Sequence, residues 1–227
     1  MNRIFLIPAR CGSQRIKKKN IREFDGKPII RIVAEKLLLY SGIESSSIYI
    51  SSDCDEILNL VSDLKLGTPV FRSRELATSQ IGTLEVIKDF LTKFRKEEDL
   101  KVFCVYPTSI FLTNDNLSKA ETLLERNSRS IVFPVAYYQN SPQRAMRLSE
   151  NGKIELVEEF SANKPTQELE KYWFDSSQFY LGRASTFLSS ESLYQKGLGF
   201  EVSPYSFVDI NTEEDWDFAL HLWKKKS

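Results

Sequence analysis

The chain has 227 residues, 41% hydrophobic and 12% aromatic, enough apolar side chain to bury a core in a single domain and too much for a disordered chain. Lysine plus arginine and aspartate plus glutamate both total 31, which excludes a global basic field that would gather nucleic acid, and an acidic tail. Cys11, Cys54 and Cys104 are odd in number, far apart and without the spacing of a zinc site, and no uncharged apolar run approaches the roughly 18 residues of a membrane span, so a reduced cytoplasmic chain with no membrane partner is the expectation.

The chain enters a strand at 4–7 without a leader-like segment, and short apolar runs then alternate with stretches of helical period. The pattern predicts a helix at 29–40, a strand at 47–51, a helix at 56–64 and a strand at 69–71. A helix at 84–94, a strand at 102–105, a helix at 116–125 and a strand at 130–135 follow. Short strands separated by helices imply an α/β fold, a Rossmann-like, mostly parallel sheet with helices on both faces. Ligands of such a fold gather in the loops where strands end and helices begin.

The alternation breaks between 136 and 172, where polar residues, Pro142, Pro165 and a turn at Gly152 replace it. The predicted organisation is therefore one domain, 1–227, carrying an insertion at about 137–172. The insertion has too few apolar positions for its own core, yet it holds Tyr137, Tyr138, Met146 and Phe160 to bury. That combination suits an arm that packs against a second copy and makes a homodimer. Strands at 179–181 and 206–210 and a helix from about 213 to 223 restore the α/β rhythm. Thr212 and Asp215 form a capping-box-like start for that helix, and Lys224, Lys225 and Lys226 suit its negative end.

The first strand runs into Pro8-Ala9-Arg10-Cys11-Gly12-Ser13-Gln14-Arg15-Ile16-Lys17-Lys18-Lys19-Asn20, and residues 10–27 hold seven cations against two acids. Gly12 and Ser13 allow a tight backbone turn, and Arg10 and Lys19 can neutralise phosphate charge, so a polyphosphate is the natural ligand. A merely solvated basic loop is the alternative. Neither a GxGxxG fingerprint nor a Walker GxxxxGK[ST] pattern is present, which removes the usual dinucleotide and P-loop explanations.

The run Ile7-Pro8-Ala9-Arg10-x-Gly12-Ser13-x-x-Ile16-x-x-Lys19-Asn20 resembles the signature loop of the CMP-sialic acid synthetases. Ser51-Ser52-Asp53, Phe71-Arg72-x-x-Glu75-Leu76-Ala77, Tyr106-Pro107-Thr108-Ser109 and Val208-Asp209-Ile210-x-Thr212-x-x-Asp215 follow in matching order. Gln178-Phe179-Tyr180 is most similar to the pseudaminic acid branch of that family. The resemblance implies a homodimeric cytidylyltransferase that joins CMP from CTP to an acidic nine-carbon sugar, with Mg²⁺ as cofactor and pyrophosphate leaving. It assigns Ala9, Arg10, Ser13, Lys19, Asn20, Arg72 and Thr83 to the nucleotide and Tyr106, Gln178, Phe179 and Tyr180 to the sugar. It also assigns Asp209 and Asn211 to the metal, with Lys19, Arg10 and Asp209 carrying catalysis. Two anions must meet in that reaction, so positioning and charge screening carry it and no nucleophilic side chain is needed.

The chain departs from the family pattern at Gln14, where lysine is usual, at Asn211, where a second carboxylate is usual, and at Pro165, which is often arginine. Trp173-Phe174-Asp175-Ser176-Ser177 stands in place of a Tyr-His-Asp-Ala-Gly run. A sugar carboxylate then looks to Lys164, Arg144 or Arg147 for its cation. Other readings stay open. Asp53-Cys54-Asp55 is the metal-binding triplet of some glycosyltransferases, although Asp53-x-x-Glu56 reads equally as a helix cap. Arg72 has Glu75 as an alternative partner, and Asp209 is either a metal ligand or a turn residue. Gln14 and Asn211 together raise a catalytically silent nucleotide-binding homologue. Cys11 reads as a tolerated residue of the loop, and His221, in the last helix beside Trp216, Leu220 and Trp223, as an ordinary helix residue.

Overall fold

The computed structural model describes residues 3–40, 42–94, 100–158 and 163–226. Strand β1 (Arg3–Pro8) is buried on both faces because its apolar run has no polar alternation. Phe5 and Ile7 face one core and Ile4 and Leu6 the other. It pairs in parallel with β4 (Ile48–Ser52) and β6 (Lys101–Val105), and β4 pairs in parallel with β5 (Val70–Phe71). A small antiparallel pair, β2 (Glu23–Phe24) and β3 (Lys27–Pro28), lies between the first loop and the first helix.

Helices cover both faces, as the pattern predicts. On the Phe5 side, α1 (Ile29–Leu38), α4 (Asn114–Arg126) and α6 (Glu213–Lys226) insert Ile30, Val33, Leu117, Leu124 and Trp216. On the other side α3 (Thr83–Phe94) and α5 (Ala184–Ser189) insert Ile87, Phe90 and Phe187. Phe5 and Phe103 stack at 4.5 Å between centroids where β1 meets β6, and each fully buried ring contributes about 1.5–3 kcal/mol of transfer free energy. Thr113 opens α4 by accepting the N–H of Asn116 at 3.2 Å. Thr113→Ala should therefore lower stability by about 1 kcal/mol. Chemical denaturation reads this as a lower midpoint at unchanged slope.

The sheet is completed by antiparallel and mixed pairing. Strand β7 (Ile131–Tyr137) is flanked on one side by β10 (Trp173–Asp175) and β11 (Phe179–Arg183), which lie in line as one strand interrupted at 176–178. Strand β12 (Gly197–Glu201) flanks it on the other. The predicted strand at 206–210 is absent, and β12 takes that role. Glycines hide β12 in the sequence, but an added Cβ at Gly197 or Gly199 would sit 3.0 Å from the Phe133 ring or from Val135 on β7. The predicted helix at 56–64 is two pieces, α2 (Asp55–Asn59) and a 3-10 turn at Ser62–Leu64, ending at Lys65 in the left-handed conformation.

The insertion leaves and rejoins the sheet at one place, since Tyr137 pairs with Trp173 and the Tyr138 N–H donates to the Tyr172 carbonyl. It contains a detached hairpin, β8 (Met146–Leu148) and β9 (Ile154–Leu156), turned at Gly152 with φ of 80°. Phe160 lies outside the described residues.

Candidate active site

The carboxyl ends of β1, β5 and β6 open on a cleft of about 470 Å³, where a parallel sheet places its ligands. The first loop forms one wall. The Ala9 N–H donates to the Ser51 carbonyl and the Cys11 N–H to Asp53 Oδ1, both at 2.9 Å, so the loop starts from a backbone fixed to the end of β4. Asn20 is buried and its amide donates to the Arg10 carbonyl at 2.9 Å, which ties the end of the loop back to its beginning. Lys18, in the left-handed region at φ of 54°, turns the chain into Lys19.

Lys19 reaches across the cleft floor and donates to the Ile210 carbonyl at 2.6 Å. Burial lowers its pKa, and the nearby carboxylate of Asp209 opposes that effect. Asp209 and Asn211 both line the cleft on either side of this carbonyl. The segment is held from behind, because Asp215 Oδ2 accepts the N–H groups of Asn211 and Thr212 at 2.9 and 2.8 Å, and Thr212 Oγ1 accepts that of Asp215. The capping box read from the sequence is thus present, and it fixes the strip that carries Asp209.

Opposite stands the segment from Arg72 to Thr83. Arg72 is buried and does not pair with Glu75. Its guanidinium donates to Ser51 Oγ and to the Ser51 carbonyl at 3.3 and 2.9 Å, and burial lowers its pKa. Thr83 begins α3, whose positive end meets the cleft, and its hydroxyl shares a 2.5 Å hydrogen bond with Tyr106. Burial pushes the Tyr106 phenol above its ordinary range, so it stays a neutral donor and acceptor.

Arg10, Ser13, Lys19, Asn20, Arg72, Thr83, Tyr106, Asp209 and Asn211 come together in this cleft, with Gln14 and Arg15 on the loop wall. Ala9, Gln178, Phe179 and Tyr180 do not line it. Ala9 is fully buried. Gln178 to Tyr180 enter β11, which is covered on both faces, and Tyr180 donates to Asp175 while the Gln178 carbonyl accepts Tyr106 N–H and Ser109 Oγ. The sequence assigns these three to the sugar; here they are buried beside Tyr106 and lie outside the cleft lining.

The residue of that stretch that does face the cleft is Ser177, at φ of 54° in the interruption between β10 and β11, its N–H held by Asp175 Oδ1 at 2.8 Å. Its one sequence signal was the serine standing where the family has glycine. Burial raises the pKa of Asp175, and Tyr180, Ser177 and Tyr194 donate to it. The wall at Thr78, Ile81 and Gly82 carried no sequence signal beyond its neighbour Thr83.

Position bears on three other readings. Asp53 neither caps α2, whose cap residue is Cys54, nor lines the cleft; it holds the Cys11 N–H. Arg144, Arg147 and Lys164 stay outside the cleft, and Arg144 is spent on the Lys164 carbonyl at 2.5 Å. His221 is exposed on α6, outside the cleft.

A mostly parallel α/β sheet with a cationic cleft at its strand ends defines a nucleotide-binding transferase architecture. The chain belongs to the cytidylyltransferase family, whose profile matches residues 4–212. It is 30% identical over 227 residues to the pseudaminic acid cytidylyltransferase of Campylobacter jejuni subsp. jejuni, covering 99% of this chain and 97% of that one. It is 27% identical to the CMP-N,N'-diacetyllegionaminic acid synthase of Legionella pneumophila, covering 98% and 96%. Among solved structures it resembles a CMP:2-keto-3-deoxy-manno-octonic acid synthetase complexed with CTP, at a TM-score of 0.71 over 100% of both chains with 14% identity, a likeness of fold.

Proposed function

We propose that this cleft binds CTP and transfers CMP to the anomeric hydroxyl of a nonulosonic acid, pseudaminic acid being the first acceptor to test, with release of pyrophosphate. The observation that carries the reading is the convergence around one cleft of three separate stretches of chain: the first loop with Arg10 and Lys19, the segment with Arg72, and the strip with Asp209 and Asn211. The names of the relatives supply the sugar class.

In this reading Arg10, Ser13, Lys19 and Asn20 hold the phosphates, and Arg72 and Thr83 meet the nucleoside. Gly12 fits the same role: its φ is ordinary and an added Cβ would meet no protein atom within 4 Å, so its lack of a side chain suits close approach of phosphate to backbone. Tyr106 and Ser177 face the sugar, and the cations for its carboxylate are those of the cleft itself. The attacking hydroxyl and the α-phosphorus are brought in line by these contacts, and the cationic groups screen the negative charge between them.

Mg²⁺ fits the donors present. Asp209 and Asn211 offer hard oxygen atoms on one strip of the cleft, and this ion takes one or two protein oxygens together with phosphate and water. When bound it supplies charge neutralisation on the departing pyrophosphate. The test is pyrophosphate release from CTP with a panel of nonulosonic acids. Sugar-dependent release with a CMP-sugar product is expected; CTP binding without release for every sugar would make the chain a silent homologue and overturn the reading. The reaction is assigned to the cytoplasm, and among the described residues no helix is long and apolar enough to cross a membrane.

We also propose that the insertion is a dimer arm. Met146, Leu148 and Ile154 are 57%, 74% and 62% exposed on a hairpin with no core of its own, an apolar surface that a second copy would cover. Leu148→Asp combined with Ile154→Asp should convert a dimer into a folded monomer by sedimentation. A wild-type monomer at micromolar concentration would refute the arm.

A further inference from the structure

Cys11 and Cys54, 43 residues apart in sequence, meet where the first loop crosses the end of β4, with their sulfurs 2.7 Å apart. Both are half-buried and reachable from solvent, whereas Cys104 is fully buried in β6 and burial pushes its thiol up to about 12. Neither Cys11 nor Cys54 lines the cleft. Backbone contacts fix the pair from both sides: Asp53 holds the Cys11 N–H at 2.9 Å, and Ser52 Oγ accepts the Cys54 N–H at 3.1 Å.

Glu56 lies near both sulfurs and would be a third ligand if the pair held a metal. Two features argue against that occupant. Both Glu56 oxygens are engaged by Lys18 at 2.9 Å, and the sulfurs are about 1 Å too close for two thiolates on one tetrahedral zinc with bonds of about 2.3 Å. They need only a small approach to reach the roughly 2.05 Å of a covalent bond.

We propose that Cys11 and Cys54 are a modification site, a dithiol that forms a reversible disulfide, clamps the first loop to the end of β4 and slows the transferase. The slowing rests on the functional reading above; the disulfide itself does not. In the exchange, the Cys54 thiolate attacks one sulfur of a small-molecule disulfide such as oxidised glutathione, and one glutathione leaves and takes up a proton. Cys11, the hydrogen-bond donor of the pair, releases its proton to solvent and attacks the Cys54 sulfur, expelling the second glutathione. Two cysteine thiols are oxidised and one disulfide is reduced to two thiols.

The hydrogen bond to Cys54, burial and the acids Asp53 and Glu56 push the Cys11 thiol up to about 11, so Cys11 stays protonated at rest and Cys54 is the first to attack. The clamp acts on function through the neighbours of Cys11. Arg10 and Ser13 flank it in the cleft wall, the Ser13 N–H turns back onto the Cys11 carbonyl, and a Cβ added at Gly12 would point into open space. A bond at Cys11 removes the freedom this stretch needs to settle around a polyphosphate.

The experiment treats the full chain with oxidised glutathione and reads mass, peptides, amide exchange and CTP turnover. The expected result is a mass loss of two hydrogens, a linked peptide joining Cys11 to Cys54, slower exchange across residues 11–20, and turnover reduced at least about tenfold. Dithiothreitol restores the turnover. Cys54→Ser and Cys11→Ser each keep the reduced wild-type turnover and lose the response. Two thiols that remain alkylatable, a glutathione adduct as the end product, zinc retained by the pair, or a fully formed disulfide with unchanged turnover would each overturn the proposal. If the reduced chain turns over no sugar at all, the functional reading fails, while mass, linked peptide and exchange still decide the clamp.

Discussion

Lys19→Ala lowers CTP turnover by about 10²-fold or more, because a preorganised cation aimed at developing phosphate charge is typically worth a few kcal/mol in the transition state. No other cation of the loop holds its place. Gln14 is neutral, Lys18 is engaged by Glu56, and Arg15 is exposed on the loop wall, whereas Lys19 sits on the cleft floor beside Asp209. Stability moves in neither direction by more than about 1 kcal/mol, since the lost hydrogen bond to Ile210 is offset by relief of a buried ammonium. A purified variant with a wild-type unfolding curve and more than half of wild-type turnover would make Lys19 an ordinary strut.

The pH dependence supplies a second readout with a definite sign. Burial sets the folded pKa of Lys19 below its ordinary 10.5, so between the two values the unfolded chain holds more protons and this group favours folding more as pH rises. Activity runs the other way in the same window, because the unliganded site loses its ammonium there. In kcat/KM for CTP, the alkaline limb therefore appears below the ordinary lysine value in the wild type. It moves upward in Lys19→Arg, whose guanidinium stays charged.

The sheet was legible because β1, β4, β6 and β7 are apolar runs bounded by helix-period segments, a pattern dictated by burial on both faces. The cleft was legible for a related reason: the loops after parallel strands converge, so Arg10, Arg72 and Tyr106 had to meet once the sheet was right. What the sequence hid depends on contacts between distant positions. The glycines of β12 make sense only against Phe133 and Val135, and Asp53 looked like a cap because its real partner, the Cys11 N–H, lies 42 residues earlier. Gln178 to Tyr180 resemble a binding motif, yet all three are buried where the chain enters β11, and the interruption before β11 places Ser177 at the cleft. Cysteine spacing along the chain likewise excluded any pairing that spacing can reveal, and the approach of Cys11 to Cys54 is made by the fold.

Asn211→Asp lowers the Mg²⁺ concentration for half-maximal CTP turnover by about tenfold or more, and Asp209→Asn cuts turnover on the order of 10²-fold. An amide oxygen coordinates a hard cation but contributes no charge against the cost of stripping its water, so a site of Asp209 and Asn211 binds the ion weakly and needs it at high concentration. The scaffold tolerates the new carboxylate, because what Asp215 holds at this position is the backbone N–H of residue 211 and not its side chain. Asp209→Asn has a second effect that separates metal from structure. Asp209 is the leading influence holding the Lys19 pKa up against burial, so its neutralisation shifts the alkaline limb downward as well as weakening the metal response. Turnover measured against Mg²⁺ at several pH values for the wild type and both variants therefore carries two signatures. A shifted alkaline limb with an unmoved metal curve in both variants would leave Asp209 as the electrostatic partner of Lys19 and place the metal elsewhere. Movement of the metal curve in opposite directions, leftward for Asn211→Asp and rightward for Asp209→Asn, would assign the ion to this strip of chain.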